Sequence, residues 1–163
     1  MTMGDFFGMI FNDVNLALLG VALATLMAGM GSAKGVNLVG KASAGLLSED
    51  PSKFGKTLVL QALPMTQGIY GFVTGFLILF KIGALSGNPV VAPGKGAYYL
   101  MAALPIAIVG YYSGIKQGEV AAAGVSVLAK RPGELGKAIT SAALVETYAI
   151  LAVLISLLLI LFS

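Results

Sequence analysis

The chain contains no cysteine, no histidine and no tryptophan among its 163 residues. Without cysteine or histidine it cannot form a disulfide bond, use a thiol nucleophile or hold a His- or Cys-ligated metal ion. Without tryptophan it has little aromatic surface on which bases could stack, and its net charge is only +3. We therefore expect no nucleic-acid partner.

Charge is also scarce, because only 10% of the residues are charged while 58% are hydrophobic. A soluble domain carries about a quarter charged residues. Such a chain cannot cover a surface that faces water, so we expect the lipid bilayer to be its solvent. The first residues, Met1 to Asn15, contain Asp5 and Asp13 but no basic residue, so no signal peptide is predicted there.

Four apolar segments are long enough to cross a hydrocarbon core, which takes about 20 residues in a helix. Continuous apolarity indicates helices, since the strands of a membrane barrel are short and alternate in polarity. The predicted spans are Val14–Ala33, Thr57–Phe80, Gly96–Ile115 and Ala138–Phe162. They predict an all-α membrane protein made of two hairpins, residues 14–80 and 96–162.

Basic residues predict the orientation of these spans, because Lys and Arg accumulate on the cytoplasmic side. Only Lys81 and Lys95 lie between the second and third spans, where Gly87-Asn-Pro89 and Pro93-Gly94 indicate a turn. The sequence thus predicts both termini outside and the connection within each hairpin in the cytoplasm, where the other basic residues lie: Lys34, Lys41, Lys53, Lys56, Lys116, Lys130, Arg131 and Lys137.

The two hairpins are internal copies of each other. In the second helix of each hairpin an offset of 81 residues maps Pro51 onto Pro132, Lys56 onto Lys137 and Thr66 onto Thr147. In the first helix the best offset is 85, and it matches residue size more than identity. There it aligns two stripes of small residues, which let helices approach closely and favour assembly of copies into a ring: Ala22, Thr25, Gly29 and Ala33 in the first hairpin, and Ala107, Gly110, Gly114 and Gly118 in the second.

Glu146 is the one charged residue inside the four predicted spans. It lies nine residues into the fourth span, roughly 12 Å along it at about 1.5 Å per residue. An ionised carboxylate at that depth costs at least a few kcal/mol unless it is paired, so intramembrane acids are functional by default. The alternative is a protonated acid that only makes a structural hydrogen bond between helices.

The second span is unusually polar around Met65, the residue that corresponds to Glu146. Thr66, Gln67 and Tyr70 can share one helix face there. Pro64 cannot donate to the Leu60 carbonyl, which loosens the backbone and frees carbonyl oxygens for a cation. Gln117 lies two residues beyond the end of the third span, and its counterpart Ser32 is too short to reach far.

A carboxylate, two amide carbonyls, a hydroxyl and a distorted backbone suit a hard monovalent cation. A proton carrier needs only the acid and an apolar pocket, so the additional oxygens favour Na⁺ over H⁺. Two rival classes remain at this point: a small four-span cation/proton antiporter, which commonly uses an aromatic cage with tryptophan, and a purely structural tetraspan or channel.

The pattern resembles the proteolipid (K or c) subunit of V-type ATPases, and most closely the bacterial sodium-pumping branch. These are duplicated four-helix hairpins that assemble into a membrane rotor ring. The resemblance extends from Leu16 to Phe162 and is carried by three stretches: Leu60-Gln-Ala-Leu-Pro-Met-Thr-Gln-Gly-Ile-Tyr-Gly-Phe72, Ser113–Gly118 with Val120–Gly124, and Val145–Ile150.

The resemblance implies a role for each site residue. Glu146 would be the ion-binding carboxylate, and Tyr70 would donate its hydroxyl to that carboxylate and lock it. The Na⁺ ligands would be completed by the side chains of Thr66, Gln67 and Gln117 and by the backbone carbonyl of Leu63.

The resemblance also implies a place in a larger machine. The chain would be a non-hydrolytic subunit with no active site of its own, in the plasma membrane of a bacterium. Its partners would be copies of itself, central-stalk subunits and a stator subunit with two half-channels. An H⁺-translocating ring of the same family is the closest alternative.

Overall fold

The computed structural model describes residues 2–163, and within that range it contains helices and no strand. The predicted all-α class, with two duplicated hairpins, is confirmed. Single turns of 3₁₀ helix lie at Pro51–Lys53, Leu63–Met65, Ala84–Ser86 and Pro132–Glu134. The α-helices are α1 (Met3–Ile10), α2 (Asp13–Glu49), α3 (Phe54–Ala62), α4 (Thr66–Lys81), α5 (Lys95–Lys130) and α6 (Leu135–Leu161).

Four helical units are long and apolar enough to cross a membrane: α2, α3 together with α4, α5, and α6 with its preceding turn. Two of them are much longer than the predicted spans, since α2 continues past Ala33 to Glu49 and α5 continues past Ile115 to Lys130. The prediction that the basic residues lie on connections was therefore wrong for six of the eight, which lie within helices: Lys34, Lys41, Lys56, Lys116, Lys130 and Lys137. Polar residues such as lysine end an apolar run but not a helix.

Each hairpin turns at a proline that follows a long helix. Pro51 and Pro132 each begin a 3₁₀ turn, where the missing N–H of proline has no cost. Before Pro51, the Asp50 carboxylate accepts hydrogen bonds from the Ser52 hydroxyl and backbone N–H, at 2.5 Å and 3.0 Å. The hydrogen bond from the Ser52 hydroxyl holds the pKa of Asp50 below its usual value, and Lys53 lowers it further.

The connection between the hairpins turns on three glycines with positive φ, Gly83, Gly87 and Gly94. Side chains are strained in that backbone region, so glycine is the suitable residue. The Asp13 carboxylate then accepts the backbone N–H of Gly96 at 2.8 Å. This bond ties the first turn of α5 to the first turn of α2 and so fixes the register of the two hairpins.

Helices α2 and α5 form the central pair, with α4 packed on α2 and α6 packed on α5. Helices α2 and α5 lie close together because glycines on each helix face the backbone of the other. A Cβ on Gly31 would lie 2.6 Å from the Tyr111 Cα, and one on Gly114 would lie 2.8 Å from the Gly31 carbonyl carbon. Gly35 and Gly118 contact each other in the same way. Such close approach is the established use of small residues between membrane helices.

Candidate functional site

The second membrane crossing is broken at Pro64. Helix α3 ends at Ala62, a 3₁₀ turn covers Leu63–Met65, and α4 begins at Thr66. Inside this break the Thr66 hydroxyl donates to the Leu63 carbonyl over 3.1 Å. The distortion expected from proline is present, and it places a backbone carbonyl and a hydroxyl beside each other in the crossing.

The Glu146 carboxylate on α6 accepts two hydrogen bonds from neutral donors on other helices. The Tyr70 hydroxyl of α4 donates to Oε1 over 2.6 Å, and Gln117 Nε2 of α5 donates to Oε2 over 3.2 Å. Three helices therefore converge on one carboxyl group. Of the three ion pairs found within residues 2–163, none includes Glu146, so its negative charge has no basic neighbour in the part of the chain that the structure describes.

Two fully buried glutamines extend this network away from the carboxylate. Gln67 Nε2 donates to Gln117 Oε1 over 2.5 Å, and both side chains are 0% exposed. The other end of the Gln67 amide turns toward Thr66, whose hydroxyl lies 3.4 Å from Oε1. The buried amides are thus satisfied, as buried polar groups must be.

The structure brings every side chain of the predicted site into one connected chain of contacts. The order is Thr66, Gln67, Gln117, Glu146 and Tyr70, with the Leu63 carbonyl beside Thr66. Among residues 2–163, no three acidic, histidine or cysteine residues cluster. One carboxylate with several neutral oxygens matches the charge of a monovalent cation and leaves a divalent ion uncompensated.

Ser32 has a role that the sequence did not reveal. Its hydroxyl accepts the backbone N–H of Gly68 over 2.8 Å, and this N–H is one of those left without a helical partner by the break at Pro64. The internal duplication pairs Ser32 with Gln117, and from that pairing we predicted only that the Ser32 side chain is too short to reach an ion. A capping role could have been found from the proline, because every helix that restarts needs acceptors for its first N–H groups.

Thr74 supports the site one turn further along α4. Its hydroxyl donates to the Tyr70 carbonyl over 2.9 Å, and Thr74 is fully buried. A threonine that bonds back to the preceding turn satisfies its own hydroxyl without a partner on another helix. It therefore stiffens the turn that carries Tyr70 and contributes no oxygen to the site itself.

Comparison with known proteins gives three findings. The family of the ATP synthase C subunit matches the chain twice, over residues 19–78 and 100–159, once in each hairpin. The V-type sodium ATPase subunit K of Enterococcus hirae is 52% identical over 154 residues, which cover 94% of this chain and 92% of the relative. The A-type ATP synthase subunit K of Methanocaldococcus jannaschii is 41% identical over 144 residues, 88% of this chain and 61% of that protein.

Proposed function

Because the chain belongs to the ATP synthase C family, we propose that it carries Na⁺ as one subunit of the membrane rotor ring of a V-type ATPase. The observation that supports this best is the carboxylate of Glu146, held by Tyr70 and Gln117 within a set of buried oxygens. The name of the Enterococcus hirae relative, a V-type sodium ATPase subunit, points to the same cation.

In this proposal Na⁺ is bound by the Glu146 carboxylate, the side-chain oxygens of Thr66, Gln67 and Gln117, and the carbonyl of Leu63. These groups already form one contact chain, so binding needs only reorientation of amide and hydroxyl groups. Gln117 then turns an oxygen instead of an N–H toward the cation. Tyr70 keeps its bond to the carboxylate and closes the site.

The number of oxygens favours Na⁺ over H⁺. A proton needs only the acid, whereas a sodium ion that loses its water must find several oxygen ligands in the protein, as hard cations do. Burying the amides of two glutamines costs free energy unless every amide group is hydrogen-bonded. A site for a proton does not require these amides. The amide oxygens of Gln67 and Gln117 are instead suited to replace the water molecules that a metal ion loses on entering the site.

Translocation follows from the charge of the site. With Na⁺ bound, Glu146 is neutralised and the protein can pass through lipid at little cost, but an empty ionised site cannot. We propose that a central stalk driven by ATP hydrolysis turns the ring, and that a stator arginine receives the empty carboxylate between two half-channels. Moving one charge against 100 mV takes about 2.3 kcal/mol.

One ion site serves four membrane crossings in this chain, because Met65 stands where the first hairpin would carry its own carboxylate. A ring of such subunits moves half as many ions per turn as a ring with a site in every hairpin. Fewer ions per turn allow a larger gradient for the same ATP, which favours pumping over synthesis.

We also propose the plasma membrane of a bacterium as the location, with both termini outside and the Pro51 and Pro132 turns in the cytoplasm. The basis is the count of basic residues, eight on the cytoplasmic half of the hairpins against Lys81 and Lys95 outside. The non-hydrolytic chain then presents its proline turns to the central-stalk subunits.

The test is protection of Glu146 from a carbodiimide by Na⁺. A hydrophobic carbodiimide adds to a protonated carboxyl group in an apolar site, and bound Na⁺ excludes that proton. In the purified ring at neutral pH, we expect mass spectrometry to find label on residue 146 and Na⁺, but not K⁺ at equal ionic strength, to suppress it. Glu146→Gln is the unlabelled control. Labelling that Na⁺ leaves unchanged would identify an H⁺ ring instead.

A further inference from the structure

Helix α1 has an apolar face that the rest of the chain leaves exposed. Its large apolar side chains repeat at i, i+3, i+4 and i+7, which places them on one side of a helix: Met3, Phe6, Phe7 and Ile10. Their exposed fractions run from 43% at Phe6 to 76% at Met3, and no residue of α1 is buried. Such a face gains free energy from any surface that removes it from water.

The opposite face of α1 is small and carries one charge, because Gly4, Asp5 and Gly8 lie there. The Thr2 hydroxyl accepts the backbone N–H of Asp5 over 3.1 Å, and the Thr2 N–H donates to Asp5 Oδ2 over 2.8 Å. The second bond holds the pKa of Asp5 below its usual value, so this carboxylate is ionised at neutral pH. An apolar face opposite a charged one is typical of helices that lie at a membrane surface.

The corner between α1 and α2 is held by two asparagines. Only Phe11 and Asn12 separate the two helices. The side-chain amide of Asn15, in the first turn of α2, donates to the carbonyls of Met9 and Ile10 over 3.0 Å and 3.1 Å. The Asn12 amide donates to the Met9 carbonyl over 2.9 Å. These bonds satisfy the last carbonyls of α1 and set its orientation relative to α2.

The chain enters the membrane directly after this corner. Helix α2 is one of the four units long and apolar enough to cross a bilayer, and its apolar run begins at Val14. Asp13 bonds to the N–H of Gly96, so the corner lies at the same end of the bundle as the connection between the hairpins. Ile10 is four residues before Val14, and at most about 14 Å of chain separates α1 from the hydrocarbon.

Two observations favour lipid over a second copy of the chain as the occupant of the apolar face. Exposed apolar surface continues from α1 onto the membrane-spanning α2, where Leu18 and Leu19 are 37% and 44% exposed. The eight residues of α1 amount to little more than one heptad, whereas the paired helices of coiled coils run over several heptads. The bilayer is also present beside the corner in every copy.

We propose that α1 lies in the boundary between lipid headgroups and acyl chains at this end of the bundle. The side chains of Met3, Phe6, Phe7 and Ile10 insert among the acyl chains, and Asp5 faces water. The asparagine corner turns the apolar face toward the lipid. This anchor is independent of ion transport and would be the same in a ring that carries H⁺.

The anchor is apolar and not electrostatic. Many helices at membrane surfaces carry Lys or Arg that attract anionic lipids, but the first basic residue of this chain is Lys34. The Asp5 carboxylate is repelled by anionic headgroups. We therefore expect α1 to bind a neutral lipid surface at least as well as an anionic one, and salt to leave the binding unchanged.

An anchor at this position fixes the height of α2 in the bilayer. Because α2 is packed on α5 through glycines that face backbone, it also fixes the depth of Gln117 and of the Glu146 carboxylate that Gln117 contacts. Lipid is fluid and offers no fixed partner. In the proposed rotor, contact with lipid therefore holds the height of the subunit without opposing its rotation.

Spin labels on single cysteines test the proposal, since the chain has no cysteine of its own. Phe7→Cys lies on the apolar face and Gly8→Cys on the opposite face, where a Cβ meets nothing within 4 Å. The whole labelled protein is reconstituted in phosphatidylcholine vesicles. Oxygen, which concentrates in lipid, and a water-soluble nickel chelate serve as collision partners. We expect the ratio of oxygen to nickel collisions to be severalfold higher at position 7 than at position 8.

Three outcomes would overturn the proposal. Frequent nickel collisions at both positions would place α1 in water. Shielding of position 7 from both reagents would show that protein covers the apolar face, either from the same chain or from a second copy. A contrast that requires anionic lipid, or that high salt removes, would show electrostatic binding.

The corner has its own test. Asn15→Ala removes the donor to the Met9 and Ile10 carbonyls, so the difference between the labels at positions 7 and 8 should fall to a small fraction. Asn37→Ala, which replaces an exposed asparagine further along α2, is the matched control and should keep the full difference. Equal differences in the two variants would contradict the role given to the corner. Neither measurement uses Na⁺ or Glu146, so this proposal and the proposed function fail separately.

Discussion

The hydroxyl of Tyr70 donates to the carboxylate of Glu146 over 2.6 Å and so joins the second membrane crossing to the fourth. A hydrogen bond to a charged group contributes about 1.5–3 kcal/mol, and about 1.4 kcal/mol is a factor of ten in binding. The bond links the two hairpins at the one point where the predicted spans carry a charge.

We expect Tyr70→Phe to weaken the binding of Na⁺ at Glu146. The carboxylate loses one of its two donors, so the Na⁺ concentration that half-protects Glu146 from carbodiimide should rise by roughly tenfold or more. Tyr148→Phe, which removes a hydroxyl outside the site, is the control and should leave that concentration unchanged. Equal behaviour of the two variants would show that Tyr70 does not lock the carboxylate.

The Thr66 hydroxyl is proposed as a ligand of the ion, and Thr140 provides a matched control. Both hydroxyls donate to a carbonyl of the preceding turn, but Thr140 is remote from Glu146 along α6. Thr66→Ala should raise the half-protecting Na⁺ concentration by about tenfold, the size of one lost polar contact to a charge. Thr140→Ala should not. The carbodiimide reaction without Na⁺ should persist in both variants.

Gly31 is predicted to be essential for the central helix pair. A Cβ there would lie 2.6 Å from the Tyr111 Cα, which is backbone and cannot move aside locally. Gly31→Ala should lower the unfolding free energy of the protein by about 1–3 kcal/mol, as overpacking does. Gly45→Ala is the control, since a Cβ on Gly45 meets nothing within 4 Å. Denaturant titration in detergent, followed by helical signal, measures both.

The proposed orientation predicts which turns a membrane-impermeant thiol reagent can reach. Asn88→Cys lies in the exposed connection between the hairpins, and Gly133→Cys lies in the proline turn of the second hairpin. In intact cells only Asn88→Cys should react, and Gly133→Cys should react after permeabilisation. The reverse pattern would place the termini in the cytoplasm and invert the proposed topology.

Periodicity and composition were sufficient for the crossings and the duplication, but not for the lengths of the helices. The apolar runs of α2 and α5 stop near Ala33 and Ile115, yet the helices continue to Glu49 and Lys130. Hydropathy measures where lipid ends, whereas a helix ends where proline or a cap interrupts its hydrogen bonds. Pro51 and Pro132 were the true boundary signals.

The residue types of the site were also visible in the sequence, because a lone acid, two amides and a proline are unusual inside apolar helices. The positions of these residues relative to one another could not be predicted from the sequence. Gln67 and Gln117 are 50 residues apart, and only the packing of α4 against α5 brings Nε2 to Oε1. The capping of Gly68 by Ser32 likewise depends on α2 lying beside the break.

The sequence by itself determined that lipid is the solvent, that two copies of a hairpin are present, and that the second copy alone carries a carboxylate. Those are matters of composition and spacing. The tertiary structure decided which helices face each other, because two stripes of small residues look alike until packing covers one and leaves the other open. Close approach of backbones fixed that choice: Gly31, Gly35, Gly114 and Gly118 hold α2 against α5, and this register carries Tyr70 and Gln117 to Glu146.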